Sequence, residues 1–160
     1  MPETLGQSVP RKIFFASPAA ATHLYQRHQA LAECMTRSGH EVMFLNPLLS
    51  GGWSRADEQT SEGMHVITCR VPFRAARLPA LQKLVGMWVV RLLLRPRSIA
   101  PRSSLLWIAD PSNAFLERLP WNRILYDRCD RHGTFHGQNP EVWREYESHL
   151  YKNASIVFAS

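Results

Sequence analysis

The sequence predicts an α/β protein, a doubly wound and mostly parallel sheet of about six strands with helices on both faces. Three observations carry that expectation. A strand, a helix and a second strand follow one another near the start with tight punctuation, the pattern of a βαβ unit. The second half of the chain repeats the same strand-then-helix rhythm. The composition, 45% hydrophobic and 20% charged over 160 residues, is that of one globular domain and not of a disordered chain.

The elements can be justified in order. Residues 1–11 hold Pro2, Glu3, Gly6 and Pro10, lack the apolar core of a signal peptide and read as a loose tail, leaving 12–160 as the folded domain. Lys12-Ile13-Phe14-Phe15-Ala16 is the first strand, and Ser17-Pro18 ends it. A helix is expected from about Thr22 to Arg37, because Leu24, His28, Leu31 and Met35 fall on one face. Ser38-Gly39-His40 stops it, with Gly39 as a left-handed cap. Glu41–Leu45 is the second strand. Residues 48–62, polar and rich in Gly and Ser, read as a surface loop. Met64–Cys69 alternates and predicts a third strand, and Pro79–Leu94 predicts a helix bounded by prolines. Leu105–Ile108 and Arg123–Asp127 are further strands, and Asp110-Pro111-Ser112 opens a short helix with a good cap. Pro140–Tyr151 is helical, with Glu141, Glu145 and Glu147 read as a solvated face, and Ala154–Ala159 is the last strand.

Charge and cysteine content narrow the function classes. The net charge is +6, and no Asp or Glu occurs from Gly63 to Ala109, where eight Lys and Arg side chains fall. Such a block suits an anionic partner (a lipid surface, a nucleic acid or a phosphorylated substrate) or else forms a solvated basic face. The helix at 79–94 is too short to span a bilayer. Carrying Trp88 and Arg91, and flanked by Arg74, Arg77, Arg95 and Arg97, it either lies in a membrane interface or packs as a core helix with arginines reaching outward. Nucleic acid is the poorer fit, since Phe73 and Trp88 are not interleaved on an exposed strand face. Cys34, Cys69 and Cys129 form no disulfide framework and no metal-ligand spacing, so a reducing, cytoplasmic setting is expected and no metal or other cofactor.

In doubly wound sheets ligands sit beyond the carboxyl ends of the strands. The loop after the first strand has no GxGxxG but brings small residues, His23, Gln26 and Arg27 to that edge. The segment Tyr126-Asp127-Arg128-Cys129-Asp130-Arg131-His132 leaves another strand end with two carboxylates, two arginines and a histidine. Either these form a salt-bridged loop, or Asp130 orients or deprotonates a substrate hydroxyl.

The order of these pieces resembles the N-terminal, acceptor-side domain of bacterial GT-B glycosyltransferases, in particular the group that builds teichuronic acid and other surface polysaccharides. Gln26-Arg27, Ser38-Gly39-His40-Glu41-Val42, Leu106–Pro111, Tyr126–Asp130, and Glu147 with His149-Leu150 and Asn153–Ser160 carry the resemblance, which spans the chain from Arg11 onward. It implies a Rossmann-like half of a two-domain enzyme that moves a sugar from a nucleotide-sugar to a surface-polymer or lipid-linked acceptor. The nucleotide-sugar would be held by a C-terminal domain beyond this sequence, and no metal is needed. It further implies Asp130 as the base of an inverting enzyme or a positioning group of a retaining one. His23, Gln26, Arg27, Asp127 and His132 would contact substrate, Asp127 chiefly as a structural strand-end carboxylate. Arg74, Arg77, Trp88, Arg91 and Arg95 would face the inner surface of the plasma membrane. The half-enzyme alone is expected to turn over nothing. A non-catalytic α/β module binding an anionic ligand, a membrane or nucleic acid is the competing expectation.

Overall fold

The computed structural model describes residues 12–22, 26–94, 99–129 and 139–159, apart from the side chain of Leu93. Eight strands form one sheet: β1 (Lys12–Ala16), β2 (Glu41–Leu45), β3 (Leu49–Ser50), β4 (Ser54–Gln59), β5 (His65–Val71), β6 (Ser104–Ile108), β7 (Arg123–Arg128) and β8 (Ile156–Ala159). Their order is β3-β5-β2-β1-β6-β7-β8, with β4 paired to β5. Every pairing is parallel except β4 with β5. The doubly wound α/β expectation therefore holds, with more strands than the sequence suggested.

The additional strands lie where a loop was expected. Ser54–Gln59 offers no apolar face, and all but Arg55 is exposed, so periodicity gives no strand signal. What holds it is the antiparallel ladder to β5, Ser54 opposite Arg70 through Gln59 opposite His65. A polar edge strand also discourages pairing with other chains.

Two cores flank the sheet because successive strand residues point to opposite faces. On one face Ile13, Phe15, Phe44, Trp107 and Leu125 meet Ala32 of helix α1 (Arg27–Arg37), with Phe15 stacked 5.5 Å from Phe44 and 5.2 Å from Trp107 between ring centroids. On the other, Phe14, Leu45, Ile108 and Tyr126 meet Val85 of α2 (Pro79–Trp88), Phe115 of a 3-10 helix (Pro111–Arg118), and Tyr146 and Leu150 of α3 (Pro140–Asn153). Helix α1 ends at Ser38 and Gly39, whose φ of 87° is the left-handed conformation expected of it. The helix expected at 79–94 is α-helical only to Trp88 and closes in a π-helical turn, Val89–Leu94.

The strand order places the topological switch point between β1 and β6. The chain winds from β1 through β2 to β5, then returns to β6 on the other side of β1 and continues to β7 and β8. Ala16 aligns with both Leu45 and Ile108, so these strands end level. Backbone bonds extend the ladder one step further, Ser17 N–H to the Leu45 carbonyl and Ala109 N–H to the Ala16 carbonyl. Past that line, the strands diverge into the loops that line the site.

Candidate functional site

A crevice of about 740 Å³ opens above the carboxyl edge of the sheet at the switch point, where this architecture places ligands. Its walls come from three distant parts of the chain: Arg74 to Leu78 after β5, Asp110 and Ser112 after β6, and Asn139, Val142 and Trp143 at the start of α3, with Pro18 contributed by the loop after β1. Each of these segments leads into a helix that begins with proline (Pro79, Pro111 and Pro140), so three helix N-termini open toward one space.

The three N-termini differ in how their amides are satisfied. Asp110 Oδ1 accepts from the Ser112 N–H at 2.9 Å, and Asn139 Oδ1 accepts from the Glu141 N–H at 2.9 Å. At α2 the capping position is Leu78, which has no side chain able to accept, so that first turn keeps unsatisfied donors. Arg74 and Arg77 stand beside it, both exposed and without an ion-pair partner among the described residues. Asn113 is 2% exposed, lines a small pocket that also borders Arg74 and Asp110, and has no hydrogen-bond partner for its Nδ2 among the described residues. The crevice and the small pocket beside it thus gather several donors and the Asp110 carboxylate.

Packing beneath the crevice fixes these groups. The Tyr146 hydroxyl donates to the Ala76 carbonyl at 3.1 Å, pinning the arginine segment to α3, and burial pushes the pKa of that phenol well above its usual range. Gln82 Nε2 donates to the Ser112 carbonyl at 3.1 Å inside the core, joining α2 to the 3-10 helix. Gly86 packs on Phe115 so closely that a Cβ would overlap the ring.

The residues expected to touch substrate are divided by the fold. Arg27 and Asp127 come together, Nη2 to Oδ1 at 3.3 Å, with Arg27 half exposed and Asp127 buried. Beside them His28 Nε2 lies 2.9 Å from Cys129 Sγ. Asp127 follows Tyr126 on β7 and points to the opposite face, toward α1. This cluster is therefore on the far side of the sheet from the α2 face. Gln26 is taken up by the helix start, its N–H bound to Gln29 Oε1 at 3.0 Å. Of the arginines and tryptophan expected at a membrane, Arg74 and Arg77 line the crevice, whereas Trp88 and Arg91 lie on the outer face of α2 and its π-helical turn. His23, Arg95, Asp130 and His132 lie outside the described residues.

One carboxylate expected in solvent is buried. Glu147 is 8% exposed, and its Oε1 accepts from the Tyr126 hydroxyl and from Arg128 Nε, each at 3.0 Å. Burial, with Glu147 adjoining, pushes the Tyr126 phenol far above its ordinary value. An acid on a helix whose neighbours three before and four after it, Arg144 and Tyr151, are exposed gives no sequence signal of a buried partner on β7. Asp110, by contrast, was legible as a cap and is one; its place on the crevice was not legible. Among the described residues no cluster of three His, Cys, Asp or Glu side chains is placed to hold a metal, and no helix is long and apolar enough to cross a membrane.

With this geometry in place, a solved structure can be set beside it. The E. coli trehalose-6-phosphate synthase bound with UDP-2-fluoro glucose, a GT-B glycosyltransferase, superposes with a TM-score of 0.55 at 8% identity, over 91% of this chain and 39% of that one. The fold is that of a GT-B half-domain. The chain spans about two fifths of that neighbour's length. No protein-family model and no curated protein sequence matches the chain.

Proposed function

We propose that this chain is the acceptor-side domain of a glycosyltransferase, and that the switch-point crevice receives the acceptor. The observation that carries the proposal is the convergence of Arg74, Arg77 and Asp110 on one crevice at the carboxyl edge of a GT-B half-domain. In this role Asp110 orients an acceptor hydroxyl with the oxygen not used in its cap, and Asp130, next after Cys129 in the chain, supplies the base if the reaction inverts. Trp143 offers an aromatic edge for a sugar ring. The nucleotide-sugar would be bound by a second domain, so this half would bind acceptor weakly and turn over nothing.

The acceptor is proposed to be a surface-polysaccharide or lipid-linked glycan met at an anionic membrane. Support comes from the outer face of α2 and its π-helical turn, where Leu84, Met87, Trp88 and Leu92 are each more than two fifths exposed. Trp53 of the β3–β4 turn reaches the same patch, its ring centroid 6.5 Å from that of Trp88. Exposed tryptophans beside Arg91, with no acidic residue from Gly63 to Ala109, suit the headgroup region of an anionic bilayer.

Saturation-transfer NMR of the chain against glycosides, oligosaccharides and nucleotide-sugars tests the acceptor role. Sugar protons of acceptor-type glycans should receive magnetisation, lose it in Asp110→Ala, and exceed the response of nucleotide-sugars. Response to nucleotide-sugars alone would overturn the assignment of the crevice to the acceptor.

A further inference from the structure

The crevice holds more positive charge than a neutral sugar needs. Arg74 and Arg77 border it without ion-pair partners among the described residues, and Leu78 at its wall opens α2 without a side-chain cap. In the small pocket that shares Arg74, Asp110 and Ser112 with it, Asn113 Nδ2 is buried without an acceptor among the described residues. Guanidinium forks, helix-terminal amides and a side-chain amide are all donors, and together they match the oxygens of a phosphate group. A buried amide left without an acceptor costs free energy unless a ligand or water completes it. Among the described residues that line the crevice the cations are arginines, which offer planar forks in place of a point charge. The only carboxylate among the described lining residues, Asp110, has one oxygen engaged with the Ser112 N–H.

We infer that Arg74, Arg77, Asn113 and the α2 N-terminus form a phosphate subsite, and that the acceptor is a phosphorylated sugar whose phosphate sits there while its hydroxyls reach toward Asp110. This inference rests on the acceptor reading of the crevice. The shared chemistry is a phosphomonoester or diphosphate on the acceptor, carried either by a soluble sugar phosphate or by a lipid diphosphate headgroup. A volume of about 740 Å³ accommodates a sugar with its phosphate.

The test is an amide chemical-shift titration of the chain with four probes: inorganic phosphate, a hexose 6-phosphate, the same hexose without phosphate, and a polyprenyl diphosphate in neutral nanodiscs. The wild type is compared with Arg77→Ala, Arg74→Ala, Arg77→Lys and, as a control, Arg102→Ala, exposed just before β6 at the opposite edge of the sheet. The expected result is binding of a phosphorylated probe with shifts at 74–81 and 110–113. Loss of one charged fork weakens it about tenfold, the lower end of what a hydrogen bond to a charged group contributes. Arg77→Lys keeps an intermediate affinity, and Arg102→Ala changes nothing. Whether the soluble or the lipid probe binds more tightly assigns the source. If the plain hexose shifts Asp110 and Ser112 and the phosphate adds no affinity, the subsite is refuted while the acceptor reading stands. If no probe shifts the crevice, both are refuted. If Arg102→Ala weakens phosphate binding as much as Arg77→Ala does, the effect is diffuse basic charge and the subsite is refuted.

Discussion

Replacing Gly86 by alanine sets two effects against each other, and the structure decides which wins. In an exposed helix the change would stabilise by about 1 kcal/mol, because alanine loses less backbone entropy. Here the added Cβ would meet Phe115, with its Cβ and Cδ2 atoms at 2.6 Å. Those atoms belong to the root and the near edge of a side chain only 5% exposed, so it cannot swing aside as a flexible tip would. Overpacking of this kind costs about 1–3 kcal/mol, and strong overlap with a fixed ring favours the upper half of that range. The net expectation for Gly86→Ala is a loss of about 1–2 kcal/mol, or roughly 2–8 °C in melting temperature for a domain of this size. Urea denaturation with thermal melts measures it, and Phe115→Leu in the same background should restore part of the loss through coupling between the two sites. Because the segment leading into α2 and the start of the 3-10 helix both line the crevice, the variant should also weaken ligand binding there. A higher melting temperature for Gly86→Ala would refute the close packing of α2 on the 3-10 helix, and with it the geometry of the crevice.

Other outcomes follow from the same structure. Glu147→Leu leaves the buried Tyr126 hydroxyl without its acceptor and should cost about 1–3 kcal/mol in urea denaturation; adding Tyr126→Phe should recover part of it. Burial raises the Cys69 thiol from 9.0 to about 11, so the folded state disfavours its thiolate; the associated stability is complete below pH 9 and is lost as pH rises from 9 through 11. Denaturation across that range should therefore show falling stability, less steep in Cys69→Val, while at pH 8 a thiol reagent should modify exposed Cys34 and spare Cys69. Trp88→Ala with Met87→Ser should abolish flotation with anionic liposomes and leave the melting temperature within a few degrees, since both side chains are exposed. Unchanged flotation would remove the outer face of α2 from the membrane proposal.

Much of the scaffold was legible because its signals are local. The apolar runs of β1, β2, β6 and β7 and the glycine stop after α1 each declare themselves within a few residues. The polar strand β4 did not, because its partner β5 supplies the ladder and its own side chains supply nothing. Glu147 was misread for a similar reason, since its buried partners Tyr126 and Arg128 lie on a strand about twenty residues earlier. The candidate site was legible only in part. Sequence placed ligands at strand ends and marked Arg74 and Arg77 as cations for an anionic partner, yet it could not bring residues 74–78, 110–113 and 139–143 into one crevice. That juxtaposition is made by the reversal of strand order beside β1. The same reversal sets Arg27 and Asp127 on the other face of the sheet, away from α2.

The most direct test of the acceptor crevice is photo-crosslinking of the chain with a diazirine-bearing sugar acceptor mimic, followed by mapping of the labelled peptides by mass spectrometry. Labels concentrated in 74–78, 110–113 and 139–143, and reduced by excess unlabelled sugar, are the predicted result. Labels confined to the Arg27–Asp127 side of the sheet, or spread over the surface without competition, would contradict the assignment of this crevice to the acceptor.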